Sequence, residues 1–235
     1  IAMKLNTNSN AYTITYATVV VVIVAFLLAF AYAGLKERSD SNERIDKKQQ
    51  ILAALNIRNV DKVQTEDRYK EVVMADEIVN ARGQVLKQGA QKDQDGFKVD
   101  RKSMSSECLP VYVCRVGNET KYVIPMVGKG LWGSIWGFVA LNADGQTIYG
   151  AYFSHESETA GLGSLIKEEP FQKEFQGKKA YLNGTPALKV VKSGTVKDAN
   201  TECDGVTGAT LTSKGVNDMI HEYLKNYQAY LASLK

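Results

Sequence analysis

Three cysteines, two histidines and four prolines are all that the 235 residues contain of those types. So few cysteines exclude a disulfide-stapled scaffold, and Cys108, Cys114 and Cys203 do not fall in the paired Cys-x-x-Cys spacing of a zinc site. His155 and His221 alone do not make a His-rich metal centre, so no metal is expected. Excess charge of one sign is missing too. Lys and Arg total 29 against 26 Asp and Glu, a net charge of +3, without the concentrated basic face of a nucleic-acid binder. A hydrophobic fraction of 44% excludes a disordered or collagen-like chain. What remains is a folded domain whose chemistry is borrowed from a cofactor.

Charge is also absent from Leu5 to Leu35, and the centre of that stretch, Val19 to Phe30, is an unbroken run of Val, Ile, Ala, Phe and Leu. With Tyr12 to Tyr16 added, it reaches roughly the 20 apolar residues that carry a helix across a bilayer. Tyr12 and Tyr16 at one end and Tyr32 at the other are placed for the two interfaces. Ala31-Tyr32-Ala33 has the form of a signal-peptide cleavage site, but the apolar run exceeds the usual h-region of about 7–15 residues. A retained anchor is the expectation. The basic residues Lys36, Arg38, Arg44, Lys47 and Lys48 outnumber Lys4, but they alternate with Glu37, Asp40, Glu43 and Asp46. Topology stays open on that count.

Beyond the anchor, Ser39 to Arg44 reads as a polar link. Ile45, Ile51, Leu52 and Leu55 recur at helical spacing, and a second helix is expected from Glu66 to Asn80. The charged run from Lys87 to Lys102 reads as a solvated loop or hairpin. Strands are expected over Leu109 to Val116, Lys121 to Val127, Ser134 to Asn142 and Gln146 to His155, the last two joined at Ala143-Asp144-Gly145. The architecture predicted is α+β: a tail at 1–10, a transmembrane helix at 11–35, a linker and helix at 36–58, and one domain at 59–235 with a largely antiparallel sheet and flanking helices.

Three segments carry the functional signal. Gly128-Lys129-Gly130-Leu131-Trp132-Gly133 lets backbone approach a flat or charged ligand, or is a glycine turn with Trp132 in the core. Glu158-Thr159-Ala160-Gly161-Leu162-Gly163, after His155 at a strand end, offers polar groups around an apolar Leu162; taken alone it reads more simply as a strand-to-helix connection with Glu and Thr as caps. Asp204-Gly205-Val206-Thr207-Gly208-Ala209-Thr210 precedes the best amphipathic helix of the chain, from Val216 to Leu234. Its cluster of Thr207, Thr210, Thr212 and Ser213 at a helix N-terminus suits a phosphate, and capping alone needs only one hydroxyl.

Asp204 to Thr210 resembles the motif on which a flavin transferase attaches FMN through its phosphate to the final Thr. Together with Gly130-Leu131-Trp132-Gly133, the Glu158 to Gly163 loop and Ala187-Leu188-Lys189-Val190-Val191-Lys192, it resembles the C-type subunits of Na+-translocating NADH:quinone reductases, a covalent FMN-binding family, collinearly from about Gly128 onward. Ala160 stands where that family usually has Pro, and Gly133 where relatives often have Ser. The resemblance implies one covalent FMN per chain on Thr210, with Asp204, Thr207, Gly208 and Ala209 forming the modified motif. It implies Trp132, Glu158, Thr159, Leu162 and Gly163 around the flavin, Lys192 beside its phosphate, and no catalytic residue on this chain alone. It further implies a periplasmic domain on a single-pass anchor in the bacterial inner membrane. That domain would relay single electrons from an iron–sulfur centre, held by a pair of membrane proteins of the complex, to another FMN-bearing member. A flavin transferase is the implied partner during maturation. The G-type subunits of ion-translocating ferredoxin:NAD+ oxidoreductase complexes share anchor and motif and are the nearest alternative; a non-redox anchored binding module is the other.

Overall fold

The computed structural model describes residues 7, 9–90 and 92–234; most of the expected tail at 1–10, including Lys4, lies outside them. The chain forms two compact units, residues 1–46 and 47–235. In the first, the described residues form the greater part of helix α1 (Asn10–Ala54). This helix is long and apolar enough to cross a membrane. Its side chains from Ile14 through Leu35 are unburied, the condition of a helix whose solvent is lipid. The polar link expected at Ser39 to Arg44 is instead helical, continuous with the apolar run.

The second unit begins at Lys47, upstream of the expected boundary at 59. Ile51, Leu52 and Leu55 are fully buried in it. The end of α1 is closed by Asn56 at φ 60°, with Asn56 N–H donating to Ala53 O (3.0 Å) and Ile57 N–H to Leu52 O (2.9 Å). That pair of bonds is a left-handed helix cap.

Helix α2 (Lys62–Val72) runs directly into strand β1 (Val73–Val79), so the expected helix from Glu66 to Asn80 is half strand. The cause is visible in the burial. Val73, Asp76 and Val79 are the inward residues, a three-residue spacing that imitates a helix; register shifts after Val73 and after Ile78 produce it within a strand. After β2 (Val85–Lys87) the charged run folds over the domain. Two 3-10 turns bury Phe97, and Asp93 is buried beside them, where a solvated loop or hairpin was expected.

Strands β3 (Leu109–Val116), β4 (Glu119–Lys129), β5 (Ser134–Asn142) and β6 (Ile148–His155) follow, and the sheet runs β2-β1-β3-β4-β5-β6 with every pairing antiparallel. The strands are apolar on both faces because each face has its own core. Val111, Ile124, Val139 and Leu141 enter one, and Tyr112, Val123, Phe138 and Ala140 enter the other. Period-two alternation distributes them. The end of α1 and helix α2 cover the second face.

A short helix α3 (Glu169–Lys173), the hairpin β7 (Tyr181–Leu182) and β8 (Thr185–Pro186), and the parallel pair β9 (Lys189–Val191) and β10 (Glu202–Asp204) lead to helix α4 (Thr210–Ala232). Helix α4 covers the first face, against β4 and β9. Its buried stripe of Val216, Met219, Ile220, Tyr223, Leu224, Tyr227, Tyr230 and Leu231 keeps to three- and four-residue spacing. Close approach needs Gly215, where a Cβ would stand 2.3 Å from Lys129 O. Tyr227 Oη donates to Pro110 O at 2.7 Å, and Asn217 Oδ1 accepts from Val190 N–H at 3.0 Å. Sheet, small parallel pair and α4 thus fix one another, and the N-terminus of α4 is held at the edge where β9 and β10 end.

Candidate functional site

Three chain segments converge at that edge. The turn after β4 is closed by Gly130 N–H donating to Gly133 O at 2.8 Å. The loop after β6 carries Glu158 inward, its N–H donating to His155 Nδ1 at 3.2 Å. The third segment is the first turn of α4. Glu158 joins them all: Oε1 accepts from Trp132 N–H at 2.9 Å and Oε2 from Thr212 Oγ1 at 2.6 Å. Only 7% of Glu158 is exposed.

Gly130 and Gly163 leave room for this carboxylate, and Gly133 leaves room for the neighbouring Ser157. A Cβ at Gly130 would stand 2.4 Å from Glu158 Oε1, one at Gly163 2.4 Å from Oε2, and one at Gly133 2.4 Å from Ser157 Oγ. At these three positions the room beside the backbone is already filled by side chains of the β6 loop. Gly161 and Gly208 differ. Both have positive φ, at 73° and 77°, and only Leu162 Cδ2 approaches Gly208.

The hydroxyl cluster also divides. Thr212 is turned inward to Glu158, Ser213 Oγ accepts from Val206 N–H at 2.9 Å, and Thr207 Oγ1 lies 2.7 Å from Ser193 Oγ. Thr210 alone of the four is both exposed and without a hydrogen-bond partner among the described residues. It is the first residue of a 23-residue helix whose cap position, Ala209, offers no side-chain acceptor. The first-turn N–H groups lack intrahelical partners and the helix dipole places partial positive charge there.

Around this hydroxyl, Asp204 Oδ1 accepts from Gly194 N–H at 2.7 Å. Asp204 also ends β10 beside Val191 of β9. With the Ser193–Thr207 contact, this places the loop beginning at exposed Lys192 against the Thr207–Thr210 segment. Ala209 is buried and Gly208 exposed. On the other side, Trp132 (67% exposed), Leu162 and Leu211 (59%) project from the three clamped segments, with Thr159 exposed in the same loop. A free hydroxyl at a helix N-terminus, a lysine in the adjoining loop and a flank of unburied apolar side chains match what FMN presents: a phosphate at one end and a flat ring at the other. The residues fit the group.

Residues 130–225 match the family described as FMN-binding domain. The C-type subunit of the Na+-translocating NADH-quinone reductase of Vibrio vulnificus is 31% identical, over 82% of each chain. The chain belongs to this C-type family. The same protein of Haemophilus ducreyi is 29% identical over 99% of this chain and 97% of its own. The crystal structure of its counterpart from Parabacteroides distasonis superposes with a TM-score of 0.77 at 37% identity, covering 84% of this chain and 96% of that one. The α+β architecture with an N-terminal apolar helix is therefore that of the C-type family, and the chain is part of an oxidoreductase complex. The G-type reading, in the ferredoxin-linked complex, gives way.

All three cysteines are free thiols, and burial pushes the Cys203 thiol up to about 12, so Cys203 is inert rather than reactive. Burial pushes the Glu158 carboxyl up, but the Thr212 hydroxyl and the amides of Trp132, Leu131 and Gly133 outweigh it and hold the group below its ordinary value. A depressed carboxyl stabilises the fold above its unfolded value and loses that contribution as pH falls through its folded value. The stability difference between wild type and Glu158→Gln is therefore expected to be full at pH 7 and to shrink below about pH 4.3. Paired thermal melts across that range check it; a difference independent of pH would contradict the charged clamp.

Proposed function

We propose that this chain is the electron-relay member of a Na+-translocating NADH:quinone reductase, carrying one FMN through a phosphoester bond to Thr210. The observation that carries the reading is the hydroxyl of Thr210, which engages no partner among the described residues and stands outward at an uncapped helix N-terminus. When bound, FMN supplies reversible one-electron chemistry, here between an iron–sulfur centre of two membrane proteins of the complex and another FMN-bearing member. The protein's own part is position and electrostatics. A phosphodiester keeps one negative charge, which the α4 dipole and Lys192 are placed to balance. Trp132 and Leu162, with Leu211, present apolar surface to the ring, and Thr159 offers a hydroxyl at its edge. The buried Ala209 and the Asp204 contact to Gly194 hold the motif in the shape that a flavin transferase acts upon, with Thr207 and Gly208 on its outer side.

The anchor is the apolar part of α1 in the bacterial inner membrane, with the domain on the periplasmic side. A covalent cofactor suits that compartment, because free flavin is scarce there and a lost molecule is not replaced. Full-length chain matured with its transferase is expected to be yellow, to keep its colour in denaturant, and to gain the mass of one phosphoester-linked FMN on the peptide spanning Thr210. A matured chain without that adduct overturns the reading.

A further inference from the structure

We infer that Glu158 is a positioning residue, not a flavin contact: it ties the Trp132 turn to the first turn of α4 and so sets the attachment hydroxyl against the apolar wall. This rests on the Thr210 attachment proposed above. Glu158 was expected to line the ring. Both its oxygens are instead committed within the protein, one to a backbone amide 26 positions away and the other to a hydroxyl 54 positions away. Neither partner is a sequence neighbour, so no local turn holds these segments together in its place.

The site is built around the carboxylate. Gly130 and Gly163 are two positions where any side chain would strike it, and a Cβ at Gly163 would also stand 2.6 Å from Thr212 Oγ1. Helical geometry supplies the link to the attachment point. At 3.6 residues per turn, Thr210 and Thr212 lie about 200° apart around α4. Holding Thr212 inward therefore turns Thr210 outward, as their burial shows. The same carboxylate fixes Trp132 through its backbone, leaving the indole exposed. Loss of Glu158 thus loosens the wall and the first turn of α4 together, while the buried stripe holds the rest of the helix.

The test uses the full-length chain, with and without flavin transferase, as wild type, Glu158→Ala, Thr212→Val and Thr212→Ser. In the unmodified chain, hydrogen exchange of the Trp132 and Ser213 amides is expected to speed up about tenfold or more in Glu158→Ala and Thr212→Val, and Thr212→Ser is expected to restore wild-type protection. In the matured chain, the same two variants should still show the adduct mass at Thr210, while flavin fluorescence anisotropy falls toward that of a freely rotating tethered ring. Unchanged exchange and anisotropy in Thr212→Val overturn the inference, as does loss of exchange protection that Thr212→Ser fails to restore. If Glu158→Ala does not fold, the Thr212 pair decides alone. A wild-type chain without adduct refutes the attachment, and the exchange measurements still decide the clamp.

Discussion

Replacing Thr210 by alanine is expected to give a folded, colourless protein. The residue is exposed and its hydroxyl engages nothing among the described residues, so its removal should change stability by less than about 0.5 kcal/mol. The covalent signal, by contrast, should vanish: no in-gel flavin fluorescence and no adduct mass after maturation with the transferase. This pairing of a total functional loss with an intact fold distinguishes a modified hydroxyl from a structural one. Thr212→Val and Ser213→Ala should behave in the opposite way. Each breaks a contact, to Glu158 or Val206, and each leaves the Thr210 adduct in place. Full fluorescence in Thr210→Ala would move the attachment to another hydroxyl.

That contrast also marks what was legible in the sequence. Glycine, hydroxyls and an amphipathic stripe are all local signals, and together they pointed to the helix N-terminus where the free hydroxyl stands. They did not tell four hydroxyls apart, since three are engaged by partners that include Glu158 and Ser193, which no nearby spacing connects to them. The Glu158–Thr212 bond had no signature at all. The central strands from Leu109 to Val116 and from Ser134 to Asn142 were readable because both faces are apolar and turns bracket them. The strand from Val73 to Val79 was not, because its register shifts imitate helical burial. Gly130 and Gly163 do admit a close approach, but the approaching group is a glutamate of the same chain.

A fragment beginning at residue 59, the boundary that composition implies, is expected to fail to fold, whereas one beginning at residue 40 should be soluble and melt cooperatively. The shorter fragment lacks Ile51, Leu52 and Leu55, all fully buried in one core with Tyr69, Val72, Tyr112 and Phe138. Each such side chain contributes about 1.5–3 kcal/mol, so the loss rivals the roughly 5–15 kcal/mol that holds a typical domain together. It also lacks Lys48, whose Nζ lies 2.7 Å from both Glu66 Oε2 and Asp93 Oδ2 and 4.9 Å from the Tyr69 ring centroid. Lys48 and Asp93 are buried while Glu66 is partly exposed, so the pair with Asp93 dominates. In the longer fragment, Lys48→Met should cost about 3 kcal/mol, because it takes the buried ammonium away from a buried carboxylate. Adding Asp93→Asn removes that negative charge and should recover part of the loss. Denaturant melts of the two single variants and the double variant measure the coupling. Equal folding of the two fragments would return the end of the apolar helix to the role of a mere linker.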